Sequence, residues 1–557
     1  MNLKLRTLIT LFTTTVVLVL LSGCNPTEKI AKPTDATQLT LSQANPKIFH
    51  FEWQPVAGAS HYVLLENPDG QSGFTELDLK IPGTATRFDL VVPLFDRFGA
   101  QYSLQGCNKA GCGPVSNTAA VADISTQTIG YLKAATPLEN GQFGYGLALS
   151  RDGKTLAVGA KKEVLNEDNT TSLFDEVYVL TRNAKGQWST PVLVHTHTGP
   201  RLFFNDEVLV DLDDDGDTLA ISTNFSDIGD NIAYIYEKND NSWQQTATMD
   251  STFDNDEPSD LFTFSIALSG DGSTLALGEP ENGQVSVFQQ TQGEWGTATP
   301  KVLAVQGDIN FGYSIALNRT GTILAILSTR YQHNVYIYQQ DANGDYQPSG
   351  DPIAYSPPDN TGKYLNAYVD LDAEATTLVI GTPFDDVDYQ GVKNGIDAPP
   401  TDPSAPDSGA ALVYTRQNGD WQRQAFIKAS NAEADDKFGT SVSLSTDGNT
   451  LTVGAPYESS DASGLIKGTD LGDADNNELD STGAVYVFHR DVNGDWHQQA
   501  YLKSSNPDKD DHFGYVVSLS GDGQTLVISA PYEDSNNPDE DPQADNSLEE
   551  AGAVYLY

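Results

Sequence analysis

The chain has 557 residues, more than one ordinary domain holds, and its 38% hydrophobic content suits folded cores better than general disorder. Asp and Glu number 77 against 31 Lys and Arg, a net charge of -46. That sign repels phosphate backbones and excludes nucleic-acid binding, while cations and basic partners are attracted.

The first element in chain order is an export signal. Lys4 and Arg6 precede an apolar run from Leu8 to Leu21, which is too short to span a bilayer. "LSGC" follows, ending at Cys24. These four residues resemble the bacterial lipobox. The resemblance implies cleavage before Cys24 and lipidation of its thiol, against the rivals of ordinary signal cleavage or an uncleaved anchor. Asn25 is not the Asp that holds such lipoproteins at the inner membrane, so the resemblance implies the outer membrane. Residues 1–23 are therefore read as signal. Residues 24–37, polar and containing Pro26 and Pro33, are read as a flexible tether.

Residues 38–122 have a pattern of their own. "FHFEWQPVAGASHYVLLE" gives two alternating runs split by Pro55 and Gly58, with Trp53 and Tyr62 as core residues of adjacent strands. Cys107 and Cys112 lie in "GCNKAGCGP". Export to an oxidising compartment favours a short disulfide, and a metal pair would lack two further soft ligands. The segment resembles a fibronectin type III domain at Trp53, Tyr62, Tyr102, Asn108, Gly111, Gly113, Pro114 and Ser116. That resemblance implies a β-sandwich serving as a spacer.

Beyond it the sequence repeats. "FGYGLALSRDGKTLAVGA" at 143–160 has six relatives, the last being "FGYVVSLSGDGQTLVISAP" at 513–531. A Leu in the second strand recurs at 156, 219, 275, 324, 378, 451 and 526. The unequal intervals mean variable loops on a constant frame. A third strand follows each pair ("EVYVL", "AVYVF", "AVYLY") and a turn leads to a fourth ("AFIKA", "AYLKS"). Seven such units predict an all-β, seven-bladed β-propeller over 129–557. The chain stops after a third strand at Tyr557, and "IGYLKA" at 129–134 stands ahead of the first repeat. That segment is expected to complete the last blade, leaving no open edge. The motif resembles the FG-GAP repeat of integrin α-subunit propellers and bacterial surface proteins, with Phe-Gly at 143, 311, 438 and 513.

In that family some first hairpins hold calcium. Calcium needs six to eight closely spaced oxygens. "DLDDDGDTL" is the best match, offering Asp211, Asp213 and Asp215, but its ninth position is Leu219. Alignment with "SRDG", "SGDG" and "STDG" gives the rival reading of a plain Asp-Gly hairpin turn. "DANGD" (341–345) and "DVNGD" (491–495) read as two-residue Asn-Gly turns. The aromatics that follow such turns, from Trp188 to Trp496, read as peripheral packing.

Strand direction places the loops after Gly-Ala-Pro and before Phe-Gly on one face. They are long at 384–408, 457–482 and 532–551. They carry Asp385, Asp386, Asp388, Asp470, Asp473, Asp475, Glu533 and Asp534. Long loops on a rigid frame commonly carry function. These acids are thus candidate contacts for a protein or glycan partner, or for calcium, against the alternative of solvated loops. No hydrolase, zinc or phosphate-loop motif occurs. The expectation is a non-catalytic envelope binding or adhesion protein. A periplasmic assembly scaffold is the alternative, and an enzyme with a channel site is the third reading.

Overall fold

The computed structural model describes residues 30–45, 48–68, 70–92, 97, 99–121, 129–165, 171–199, 208–223, 232–239, 242–250, 265–295, 300–308, 310–329, 333–355, 367–397, 400–536 and 546–557. Cys24 lies outside them. The regular secondary structure of the described residues is almost wholly strand, with two single-turn 3-10 helices at Pro280–Asn282 and Gly472–Ala474.

Two antiparallel sheets come first. Leu39–Asn45, Ile48–Trp53 and Arg87–Val91 form one. His61–Asn67, Gln101–Asn108 and Gly111–Val115, with short edge pieces, form the other. Phe49 and Phe51 meet Tyr102 edge-on at 5.9 and 5.0 Å, and Trp53 meets Tyr62 at 5.1 Å. Aromatic pairs of this geometry add to the area they bury. Cys107 and Cys112 are disulfide-bonded across the last hairpin.

The rest forms seven antiparallel sheets of four or five strands, numbered 1 to 7 here. Their innermost strands are Gly146–Leu149, Leu209–Leu212, Ser265–Leu268, Phe311–Leu317, Tyr368–Leu371, Ser441–Leu444 and Val517–Leu519. Each packs on the next, and the last packs on the first. The ring so formed is a β-propeller. Sheet 7 takes its outer strand, Gly130–Leu132, from the start of the repeats, paired to Ala553–Leu556. The core lies between sheets: Val177 and Val179 of sheet 1 join Val210, Leu219 and Ile221 of sheet 2 in one buried cluster.

The repeated motif explains how closely the sheets approach. Phe143, Phe311, Phe438 and Phe513 are all buried. Gly514 has φ 93°, and its N–H donates to the Ser529 carbonyl at 3.0 Å. A Cβ on Gly454 of the preceding sheet would stand 2.1 Å from the Gly514 carbonyl oxygen. A glycine at each position is therefore needed for backbone to meet backbone.

The long loops fold back on their own sheets. Val392–Asn394 and Leu465–Lys467 pair with the fourth strands of sheets 5 and 6, covering those outer edges.

Candidate functional site

The Asp-Gly turns satisfy themselves. In sheet 1, Ser150 Oγ donates to Asp152 Oδ1 at 2.7 Å, and that carboxylate accepts the Lys154 N–H at 2.9 Å. Ser269, Ser445 and Ser520 repeat the arrangement with Asp271, Asp447 and Asp522. Asp213 stands where the serines stand, its Oδ1 accepting the N–H groups of Asp217 and Thr218 at 2.9 and 3.0 Å. Asp215 is exposed at the turn. Asp211 points elsewhere, so the sequence trio is not brought together. Among the described residues no group of three or more His, Cys, Asp or Glu converges on a point where a metal would sit. In "DANGD" and "DVNGD", Asp341 and Asp491 likewise each accept two backbone N–H groups of their own turns.

Asp211 belongs to the ring's inner surface. Its Oδ1 accepts the N–H of Leu212 at 2.9 Å and its Oδ2 that of Leu268, in the next sheet, at 2.7 Å. Asp370 does the same for Leu371 and Leu444. Ser443 and Ser518 occupy this rung in sheets 6 and 7, and each accepts only the next sheet's N–H, from Leu519 and Leu149. The two aspartates follow sheets with Ala148 and Ala316 at the rung. An alanine cannot reach forward, so the next residue's carboxylate serves two N–H groups. Burial pushes the Asp211 carboxyl up to about 7 and also raises Asp370.

Two chambers lie along the channel enclosed by these strands. At the Asp-Gly end Arg151 reaches across it, donating to the carbonyls of Leu444 and Leu371 at 3.3 and 3.4 Å. Asp214 lies 3.7 Å from Arg151 and 2.8 Å from Arg319. Above this floor is a chamber of about 210 Å³. A waist of Leu147, Val210, Ile266 and Ile315 is shared with a wider mouth of about 420 Å³ on the loop face. Small-ligand clefts fall in the range of roughly 300–1,000 Å³.

The mouth is aromatic. Tyr145, Tyr313 and Tyr515 follow the glycine of three Phe-Gly pairs, and Tyr368 and Tyr457 join them, all half-buried. Tyr145 meets Tyr515 at 5.2 Å, and Tyr313 meets Tyr368 at 6.4 Å. Lys437 Nζ lies 4.2 Å from the Tyr457 ring centre and 5.5 Å from that of Phe384. His512 is wedged between Tyr457 and Tyr532 at 4.6 and 4.9 Å, and burial lowers its pKa to about 4. The uncharged imidazole thus packs against Tyr457, which lines the mouth, without lining it itself.

The acids assigned to a partner face divide. Asp385 and Glu533 are buried and held inside the protein, a correction to their reading as surface contacts. Asp385 pairs with Lys428 at 3.3 Å. Glu533 pairs with Lys133 and accepts from Tyr131 and Asn506, both at 3.0 Å. Glu458, which sequence reasoning passed over, pairs with Lys503 at 2.7 Å and accepts from Tyr501 and Asn431 at 2.9 and 3.0 Å. Burial lowers the pKa of all three lysines against the pull of their acids. Asp386 and Asp534 tie their own loops, accepting the N–H groups of Asp407 and Glu550. Asp388, Asp470, Asp473 and Asp475 are exposed.

The mouth tyrosines and the buried lysines were also passed over. The signals were present: a Tyr after Phe-Gly three times, and Lys in "YLKA", "FIKA" and "YLKS".

The FG-GAP repeat model matches residues 421–488 and 496–557. A comparison with curated proteins finds no match. Similar solved structures include a periplasmic gluconolactonase, PpgL, of Pseudomonas aeruginosa. Its TM-score is 0.41 at 11% identity, over 81% of this chain and 98% of that one. The Dos1 propeller gives 0.40 at 10%, over 78% and 96%. Chaetomium thermophilum Sqt1, bound to the N-terminus of ribosomal protein L10, gives 0.41 at 12%, over 76% and 99%. At these scores none carries an argument about function.

Proposed function

We propose that this is a non-catalytic binding protein of the cell envelope, lipid-anchored through Cys24 at the outer membrane. In this reading, residues 38–122 are a fibronectin type III-like spacer and 129–557 a seven-bladed propeller that presents its loop face to a partner. The observation that carries it is the asymmetry of the channel: Arg151, Arg319 and Asp214 gather at its narrower end, and a wider, aromatic mouth opens at the other. Rigid rings around a concave opening are what binding surfaces use, since such side chains lose little entropy on contact. The chamber below favours binding over catalysis, because both carboxylates of Asp211 and Asp370 are occupied by backbone N–H groups.

The test is a bulky substitution at Thr440, which lines the mouth. Thr440→Trp should abolish binding of the purified chain to envelope fractions. Val492→Trp, on the opposite face and fully exposed, should leave it intact. Retained binding by Thr440→Trp would reject the mouth as the site.

A further inference from the structure

We infer that the mouth takes neutral pyranose sugars, as the end of a glycan chain; this rests on the mouth being the binding site. Three observations carry it.

The first is charge. In a chain of net charge -46, no described residue lining the mouth is acidic, and its described cations are Lys437 in the lining and Lys161 over the Tyr145 ring. A site for cations or basic peptides would show the reverse. A long polyanion would still be repelled by the protein as a whole.

The second is the placement of the rings. Tyr145 and Tyr515 sit at the junction of sheets 1 and 7, and Tyr313 and Tyr368 at that of sheets 4 and 5. In a ring of seven these junctions oppose one another. A flat ligand lowered into the mouth therefore has tyrosine rings on two sides, Tyr145 with one face already under the Lys161 ammonium, 3.5 Å from its centre. The axial C–H bonds of a pyranose carry partial positive charge and meet the negative face of an aromatic ring.

The third is the set of hydroxyls between the rings. Ser314 and Ser441 accept the N–H groups of Val369 and Val517, which leaves their hydroxyl protons to donate. Ser265 and Thr440 donate to the carbonyls of Gly312 and Lys437, which leaves their lone pairs to accept. Two hydroxyls are thus left to donate and two to accept. Sugar hydroxyls, each both donor and acceptor, can use both kinds. A purely aromatic ligand would leave these hydroxyls unused, and an extended peptide needs a groove or a sheet edge rather than a ring-lined mouth.

The experiment is titration calorimetry of the full chain against neutral gluco-, galacto- and manno-oligosaccharides and against oligouronates. Neutral sugars should bind. Tyr313→Ala and Tyr515→Ala should each weaken binding by roughly tenfold, the size of a lost stacking contact. Tyr313→Phe, which keeps the ring, should bind as the parent does. Variants are compared only where thermal melts match the parent, and Thr440→Trp serves as the mouth-blocking control. Binding of oligouronates alone would overturn the neutral-sugar assignment, as would neutral binding indifferent to both Tyr→Ala changes. A photo-crosslinking residue at position 440 separates the two levels of the reading. Capture of polypeptide with no sugar binding overturns the glycan and keeps the mouth. No adduct, together with full envelope binding by Thr440→Trp, overturns both.

Discussion

Sheets 5, 6 and 7 differ from sheets 3 and 4 at one rung. In the first group the residue after the last paired position of the fourth strand is Lys428, Lys503 or Lys133, each buried against an acid. In the second group the residues at the same level, opposite the start of the third strand and still paired to it, are Ala304 and Ala354. The loops differ in step. Sheet 3 passes from Glu279 to Gln284 and sheet 4 from Ser328 to Asn334, whereas sheet 6 runs from Ala455 to Ala484 before its third strand begins. The propeller frame therefore does not require the ion pair. The pair goes with the long loop: its acid stands near the loop's first residue, and the lysine holds that residue against the sheet. The FG-GAP match at 421–488 and 496–557 falls within the lysine-bearing group.

Cutting the ring tests this contrast most severely. Deleting 129–134 removes the outer strand of sheet 7 together with Tyr131 and Lys133, and strands the buried Glu533. A loss of several kcal/mol is expected, read as a fall in Tm on the order of 10 °C. Deleting the outer strand of sheet 3, Lys301–Ala304, removes no buried charge and should cost less than half as much. Equal falls would remove the distinction between the two groups and the claim that 129–134 fastens the ring.

A gentler probe separates the ion pair from the strand. Lys503→Met leaves Glu458 buried without its cation and should cost about 3–5 kcal/mol. Adding Glu458→Leu should recover most of it, since an apolar pair of similar volume replaces a buried ion pair at little cost. Chemical denaturation of the two variants measures both numbers. A double variant as unstable as the single one would mean that the hydrogen bonds from Tyr501 and Asn431 to Glu458 matter more than its charge.

What could be read ahead of the structure follows from what repetition exposes. Strand order was legible because an alternating pattern written seven times averages out local noise, and the Asp-Gly turns were legible because their chemistry is local. Asp385 and Glu533 were misread for the opposite reason. An acid in a polar loop looks exposed, and its lysine lies 43 residues away for Asp385 and 400 away for Glu533. Asp211 was drawn toward its neighbours Asp213 and Asp215 by spacing, yet it is still in the strand and lines the channel, while they lie past the strand's end at Leu212, in the turn. The mouth was invisible for a third reason: its rings come from separate repeats, and only closure of the ring brings Tyr313 opposite Tyr515.

The smallest expected effect concerns pH. Burial holds Asp436 up to about 8, Asp211 to about 7 and Asp213 to about 6, against 3.8 for a free aspartate. An acid whose folded pKa lies above its unfolded value keeps its proton longer in the folded chain. Between about pH 4 and pH 8 the folded state therefore binds more protons than the unfolded one, and stability falls as pH rises through that window. Each such group should contribute a slope of about 1.4 kcal/mol per pH unit between its unfolded and folded pKa values, measured by urea unfolding. Asp436 lies in the lysine-bearing group, where Glu458 and Glu433 also raise it, and Asp211 lies outside it. Asp436→Asn should flatten the upper part of the window and Asp211→Asn the part near neutrality. Exposed Asp473→Asn should change nothing. General repulsion among 77 acids would also lower stability as pH rises, but it would treat all three substitutions alike. If Asp436→Asn leaves the slope as steep as Asp473→Asn does, the pH dependence belongs to the surface as a whole and not to the buried acids beneath the loops.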